Sequence, residues 1–311
     1  MTSLLDSMLW TEHALPASSA HGSVPVKIGE VGSGGPVALI TAGIHGDEGP
    51  WGAWAIRQLL QSVETSALQG TLRVIPAANP LAMTADLRNA PLDQLDLNRT
   101  FPGNEKGSYT ERVAHLLAQT ALEGVDTVID LHGGGSWCVN SFVFRMQGGE
   151  MLSDCFDAPF SMKAPDRAVS LTGYTRTLGK AVVGVEMGGK SGYERHWAER
   201  ITKGLHRALA KVGVLSEAGT PAREYETIPV GGSTVLRPTN GGVFVPAVGP
   251  DQIGTIVPGG TILGHVYDPG CVELLETLTA PFDQTAILLL RPFITQIEGG
   301  AMTYVVAEPQ A

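Results

Sequence analysis

The chain has 311 residues, of which 43% are apolar and 17% charged, and 31 acidic against 21 basic residues give a formal net charge of -10. That balance predicts a folded protein with ample core, long enough for one large catalytic domain and a smaller one, and excludes a disordered chain. The acidic surplus argues against a nucleic-acid partner, because phosphate binding needs a basic stripe, but a few local arginines can still hold a small anion.

Cys138, Cys155 and Cys271 are odd in number and show no CxxC spacing. Reduced thiols in a cytoplasmic protein are therefore expected rather than a disulfide framework. The N-terminal run MTSLLDSMLWTEHALPASS carries Asp6 and Glu12 and no basic stretch, unlike a secretion signal. No apolar run approaches the roughly 18 residues of a membrane span, so no membrane partner is expected. Homo-oligomerisation is left open by the sequence.

In chain order, residues 37–44 (VALITAGI) read as a buried strand that ends at HGDE, and residues 51–63 (WGAWAIRQLLQSV) as a helix. Trp51, Trp54, Ala55, Gln58 and Leu59 fall roughly on one face of that helix. TLRVIPAANP (71–80) is a strand closed by Asn79-Pro80, and a long irregular stretch follows over 81–108. A loop of that length inside a folded domain points to function. Tyr109 to Leu122 reads as a helix with Thr110 as N-cap, and VDTVIDLH (125–132) as a strand broken by GGG.

Alternating strands and helices to about residue 215 predict an α/β domain over 1–216 with a mixed central sheet flanked by helices. From Glu217 the helix signal fades into short β runs rich in Gly and Pro. Residues 217–311 are therefore expected to form a small all-β domain. STVLRPTNGGVFVPAV (233–248) and LETLTAPFDQTAILLL (275–290) weakly echo one another, which predicts a barrel-sandwich-like unit of two related halves.

In such sheets ligands gather at the carboxyl ends of strands, where both HGDE and DLHGGG stand. His45 and Glu48 are three residues apart, so one turn aims both at a single ion, and His132 supplies a further nitrogen. Either histidine alone could merely cap a strand. Two histidines and a carboxylate together match a catalytic zinc site, with one zinc per chain and the fourth position left for water.

Four ordered motifs make the reading specific: HGDE (45–48), DLNR (96–99), DLH (130–132) and VGVEMGG (183–189). Over residues 37–190 the sequence resembles the succinylglutamate desuccinylase/aspartoacylase family, a branch of the zinc carboxypeptidase-like fold. The resemblance implies that His45, Glu48 and His132 hold the zinc and that Glu186 is the general base. Amide hydrolysis needs a carboxylate of this kind, to move a proton from water to the leaving nitrogen. The resemblance also implies that Asn98 and Arg99 bind a substrate carboxylate and that Arg88 stabilises the developing oxyanion. It casts Arg176 as a second grip on that carboxylate, and Asp130 suits the orientation of a ligand. The C-terminal segment resembles the β-rich domain that narrows the active-site mouth in this family. The implied activity is zinc-dependent hydrolysis of a small anionic N-acyl amino acid.

Among the alternatives, a serine esterase would need GxSxG beside its HGGG, and that pentapeptide is absent. VGSGGP (31–36) leads into a strand rather than a helix, so it does not cradle a dinucleotide. A carboxypeptidase-like peptidase and a non-catalytic binding protein that kept the fold are the remaining rivals.

Overall fold

The computed structural model describes residues 2–18 and 22–310; of the N-terminal run read above, Met1 and Ser19 lie outside the described residues. In chain order the strands are β1 (Leu9–Ser18), β2 (Gly22–Gly32), β3 (Val37–Ala42), β4 (Thr71–Ile75), β5 (Thr127–His132), β6 (Val139–Arg145), β7 (Phe160–Lys163) and β8 (Ala181–Gly188). They continue as β9 (Ile228–Leu236), β10 (Gly242–Pro246), β11 (Ile256–Pro258), β12 (Ile262–Tyr267), β13 (Leu274–Thr279), β14 (Gln284–Leu290), β15 (Thr295–Ile297) and β16 (Tyr304–Pro309). The α-helices are α1 (Leu4–Ser7), α2 (Gly49–Ser62), α3 (Pro80–Ala85), α4 (Tyr109–Leu116), α5 (Glu150–Ser153), α6 (Leu171–Thr177) and α7 (Glu194–Lys211).

A mixed sheet of twelve strands runs in the order β1-β2-β4-β3-β5-β8-β6-β7-β9-β16-β14-β11. Its parallel centre, β4-β3-β5-β8, is buried on both faces, which is why these strands read as near-continuous apolar runs. One face of that centre, carrying Ile40, Ile129 and Val185, shares a core with Trp51 and Leu59 of α2 and Ile201 and Leu205 of α7. The other face, carrying Leu39, Val128 and Val182, packs with Val113 of α4 and Leu171 of α6.

Several local expectations change. Trp54 is 46% exposed, and the buried stripe of α2 is Trp51, Ala55, Ile56, Leu59 and Leu60. The stretch 81–108 is not wholly irregular, since Asn79 caps α3 through a bond from Ala82 N. Ser108 rather than Thr110 is the N-cap of α4, with the Glu111 carboxylate accepting from Ser108 N at 2.7 Å. Thr110 is the second residue of the helix, and both its N–H and its hydroxyl donate to Asp93, at 2.8 and 2.7 Å. Beyond Leu116 the helix continues as a π-helical turn over Leu117–Ala121.

Past residue 227 the described chain is built of strands with one short 3₁₀ turn, Pro250–Gln252. Four of these strands, β9, β16, β14 and β11, extend the central sheet, and β13, β12, β10 and β15 form a second sheet of four. Each of the two echoing sequence segments is a strand–turn–strand, but the first steps from the large sheet to the small one and the second steps back.

Candidate metal centre and active site

The site forms where three parallel neighbours end together. After β3, a single 3₁₀ turn over Gly46–Glu48 has His45 as its N-cap, so the side chains of His45 and Glu48 point the same way. Gly46 is required there, because a Cβ would lie 2.0 Å from the backbone carbon of Ala82 in α3. His132 closes β5 and stands in register beside Glu186 on β8. Beyond Glu186, Gly188 takes φ +114, and its missing Cβ leaves space for Trp51, whose indole N–H donates to Met187 O at 3.0 Å.

His45, Glu48 and His132 are buried, with donor atoms all within 4.8 Å of one another. His132 Nδ1 lies 2.9 Å from Glu48 Oε2, and His45 Nδ1 lies 2.9 Å from Glu48 Oε1. The His45 contact lacks hydrogen-bond geometry, so Nδ1 is a buried nitrogen without a hydrogen-bond partner. A buried donor set of two imidazoles and a carboxylate, converging within 4.8 Å and with one ring nitrogen lacking a hydrogen bond, fits a divalent metal. At their far nitrogens both rings are held by carboxylates, His45 Nε2 by Asp96 Oδ1 at 3.1 Å and His132 Nε2 by Asp130 Oδ2 at 2.9 Å. Asp130 is itself fixed by the Thr41 hydroxyl at 2.6 Å.

Charges reinforce one another here. Burial opposes the His45 and His132 imidazolium forms, but Glu48, Asp96 and Asp130 outweigh it and raise both pKa values. The same histidines overcome burial at Glu48 and hold its carboxyl well below the usual range. Glu186 goes the other way: burial, helped by Glu48 and opposed by His132 and Asn140, pushes it up to about 7. Asn140 Nδ2 donates to Glu186 Oε2 at 2.8 Å, which fixes the carboxyl while leaving it facing the cavity.

These groups open into a cavity of about 230 Å³. His45, Glu48, Glu186, Arg88, Asn98 and Arg99 all line it, so the structure brings together most residues singled out from the sequence. Arg88 bonds Glu48 Oε1 at 2.9 Å and Asp96 Oδ2 at 3.1 Å. Asn98 uses its carbonyl to accept from Leu171 N at 3.0 Å, tying the 97–99 turn to α6. Arg99 donates to Asn98 O at 2.7 Å.

Arg176 is the exception. It is not among the lining residues and pairs with Asp166, while Arg167 lines the cavity. Ten residues of sequence separation from Glu186 did not translate into proximity, because Arg176 lies in the last turn of α6 and the loop before that helix is what faces the site. Sequence reasoning also passed over Asp96 and Asn140. Asp96 was legible as the first residue of DLNR, whereas Asn140 is marked only by its place on β6 opposite β8.

Residues 34–212 match the family model described as the succinylglutamate desuccinylase/aspartoacylase catalytic domain. A curated relative, N-alpha-acetyl-L-2,4-diaminobutyric acid deacetylase of Halomonas elongata, is 28% identical over 93% of this chain and 87% of its own. The product-bound ectoine utilization protein EutE (DoeB) of Ruegeria pomeroyi superposes with a TM-score of 0.81 at 25% identity, covering 97% of this chain and 95% of that one. A succinylglutamate desuccinylase/aspartoacylase from Rhodobacter sphaeroides gives a TM-score of 0.83 at 24% identity over 98% and 96% of the two chains. With a match across more than half its length, the chain belongs to the succinylglutamate desuccinylase/aspartoacylase family.

Proposed function

We propose that this chain is a zinc-dependent deacylase that hydrolyses the amide bond of a small N-acyl amino acid. The observation that carries the reading is the buried His45–Glu48–His132 donor set, with donor atoms within 4.8 Å of one another, placed beside Glu186 in a cavity lined by arginines. The Halomonas relative, named as a deacetylase of an acylated amino acid, supports it.

His45, Glu48 and His132 would hold the zinc, which when bound activates water and polarises the acyl carbonyl. Glu186 takes one proton from the attacking water and delivers it to the amide nitrogen. The new C–O bond replaces the C–N bond, and a carboxylate and an amine leave. Arg88, aimed at the donor set, stabilises negative charge as it develops on the carbonyl oxygen. Arg99 and Arg167 read the substrate carboxylate, a role in which a planar guanidinium makes two-pronged contacts. Residues 1–216 form the catalytic unit in this reading. Residues 217–311 shape its mouth, since Leu289 and Met302 line the same cavity, and a space this small favours small substrates over polypeptides.

Two glutamates separate the roles. Glu186→Gln should retain about one zinc per chain by elemental analysis yet lose roughly 10²-fold or more in turnover. Glu48→Gln and His132→Ala should release the metal. The assignments are reversed if Glu186→Gln sheds zinc while Glu48→Gln keeps it. Full hydrolysis of N-acyl amino acids by chelator-stripped protein would sink the whole reading.

A further inference from the structure

Resting on the deacylase reading, the composition of the cavity wall narrows the amino acid. On β6, side chains alternate between faces, so Phe142 and Phe144 share the face of Asn140, and Met146 follows just past the strand. In the β6–β8 ladder Phe142 is paired with Glu186 and Phe144 with Gly184. An apolar row therefore starts beside the base and runs along the sheet. Gly184 leaves space for the Phe144 ring, which a Cβ there would meet at 3.2 Å. Phe142 and Phe144 stack edge to face with centroids 5.2 Å apart, which fixes the row. Phe142, Phe144, Met146 and Pro165 all line the cavity, as does Arg167, two residues past Pro165.

Charge on this wall is one-sided. Among the described residues the only carboxylates lining the cavity are Glu48 and Glu186. Glu48 is engaged by both histidines and Arg88, and Glu186 is held by Asn140. Asp166, beside Arg167, is exposed and is taken by Arg176. Arg99 and Arg167 line the same cavity and make no ion pair among the described residues, so one substrate carboxylate can bridge both. An ammonium on the substrate side chain would face the two guanidinium groups and lose its hydration without a free carboxylate to pair with. A second carboxylate would be desolvated against the same apolar row.

We propose that Phe142, Phe144, Met146 and Pro165 form a side-chain subsite that selects N-acyl amino acids with an uncharged, apolar side chain. The subsite rejects substrates with an ammonium on the side chain, such as the acetylated diaminobutyric acid in the name of the Halomonas relative.

The test is a panel of leucine, methionine, aspartate and 2,4-diaminobutyrate, each acylated at the α-nitrogen as its acetyl and its succinyl derivative, given to the zinc-loaded protein. Holding the acyl group constant isolates the side chain. Leucine and methionine derivatives should exceed both charged ones by at least about 10-fold in kcat/KM, the scale of apolar-pocket discrimination. Met146→Glu should raise the diaminobutyrate derivative and depress the leucine one, and Phe144→Ala should raise KM for leucine by about 10-fold. Should either variant fold poorly, calorimetric titration of the slowed Glu186→Gln protein with the same compounds should give the same order in Kd. Cleavage or binding of the aspartate or diaminobutyrate derivative as well as the leucine one overturns the subsite and leaves the deacylase intact. Cleavage of none of the eight compounds overturns both.

Discussion

His45 and His132 reach the same carboxylate through Nδ1 and are each gripped at Nε2 by another, Asp96 and Asp130 respectively. Such partners fix the tautomer and the ring angle, and so decide whether two imidazoles converge on one point. The grips differ in firmness. Asp130 is fully buried and anchored by Thr41, whereas Asp96 stands on a loop and also accepts from Asn98 N at 2.8 Å. Asp96→Asn keeps an acceptor for the loop but removes the charge, and Asp96→Ala removes both. Competition with a chelator should show zinc affinity falling by about 10-fold in the first and towards 100-fold in the second. Equal affinity in all three proteins would mean that Asp96 only shapes the 97–99 turn. DLNR was informative as a motif, yet its first residue faces a histidine 51 positions earlier, a partnership that no local spacing encodes.

At the scale of elements, strand ends were legible and loop partners were not. VALITAGI and VDTVIDLH stand out because buried parallel strands must be apolar throughout, and each run stops at the residue that carries chemistry. The loop over 86–108, which bears Arg88, Asp96, Asn98 and Arg99, holds its shape through contacts distant in sequence. The misplaced N-cap of α4 shows why: Thr110 looks like a cap, but the cap stands two residues earlier at Ser108, and Thr110 instead donates to Asp93 from that loop. Despite some opposing burial, the Thr110 bonds depress the Asp93 carboxyl. A depressed folded-state pKa adds stability that is fully present above the unfolded value near 3.9 and is lost as pH falls below it. Asp93→Asn should therefore cost about 1 kcal/mol at pH 7 in urea unfolding, the scale of a partly exposed helix-end interaction. The gap should hold down to about pH 4 and close as the pH falls further, through the depressed pKa of Asp93. A pH-independent gap would assign the effect to shape rather than charge.

For the whole molecule, the sequence marked the shift near residue 217 but not how the C-terminal strands attach. Composition reports that a segment is β-rich and is silent on which edge it joins. Here β9 pairs in parallel with β7, and β14 pairs with β6, so the C-terminal strands continue the sheet that carries Asn140 and the apolar row. The crossing segment is clamped by a buried ion pair, Arg207 on α7 with Asp157 before β7, whose side chains are 6% and 2% exposed. Arg207 also donates to Ala222 O at 2.9 Å, and Asp157 accepts from Glu224 N at 3.1 Å, so both partners hold the same connecting chain. Asp157 adopts a left-handed backbone, φ 51, which asparagine tolerates, so Asp157→Asn removes the charge with little backbone penalty. It leaves a guanidinium buried without its counter-ion, a loss of about 3–5 kcal/mol. Arg207→Met strands the carboxylate in the same way and should cost a similar amount. The double variant buries no lone charge, so it should unfold at a urea concentration well above either single change, and the non-additivity measures the pair. If the two single costs simply add, the pair is not what joins the C-terminal strands to the catalytic sheet.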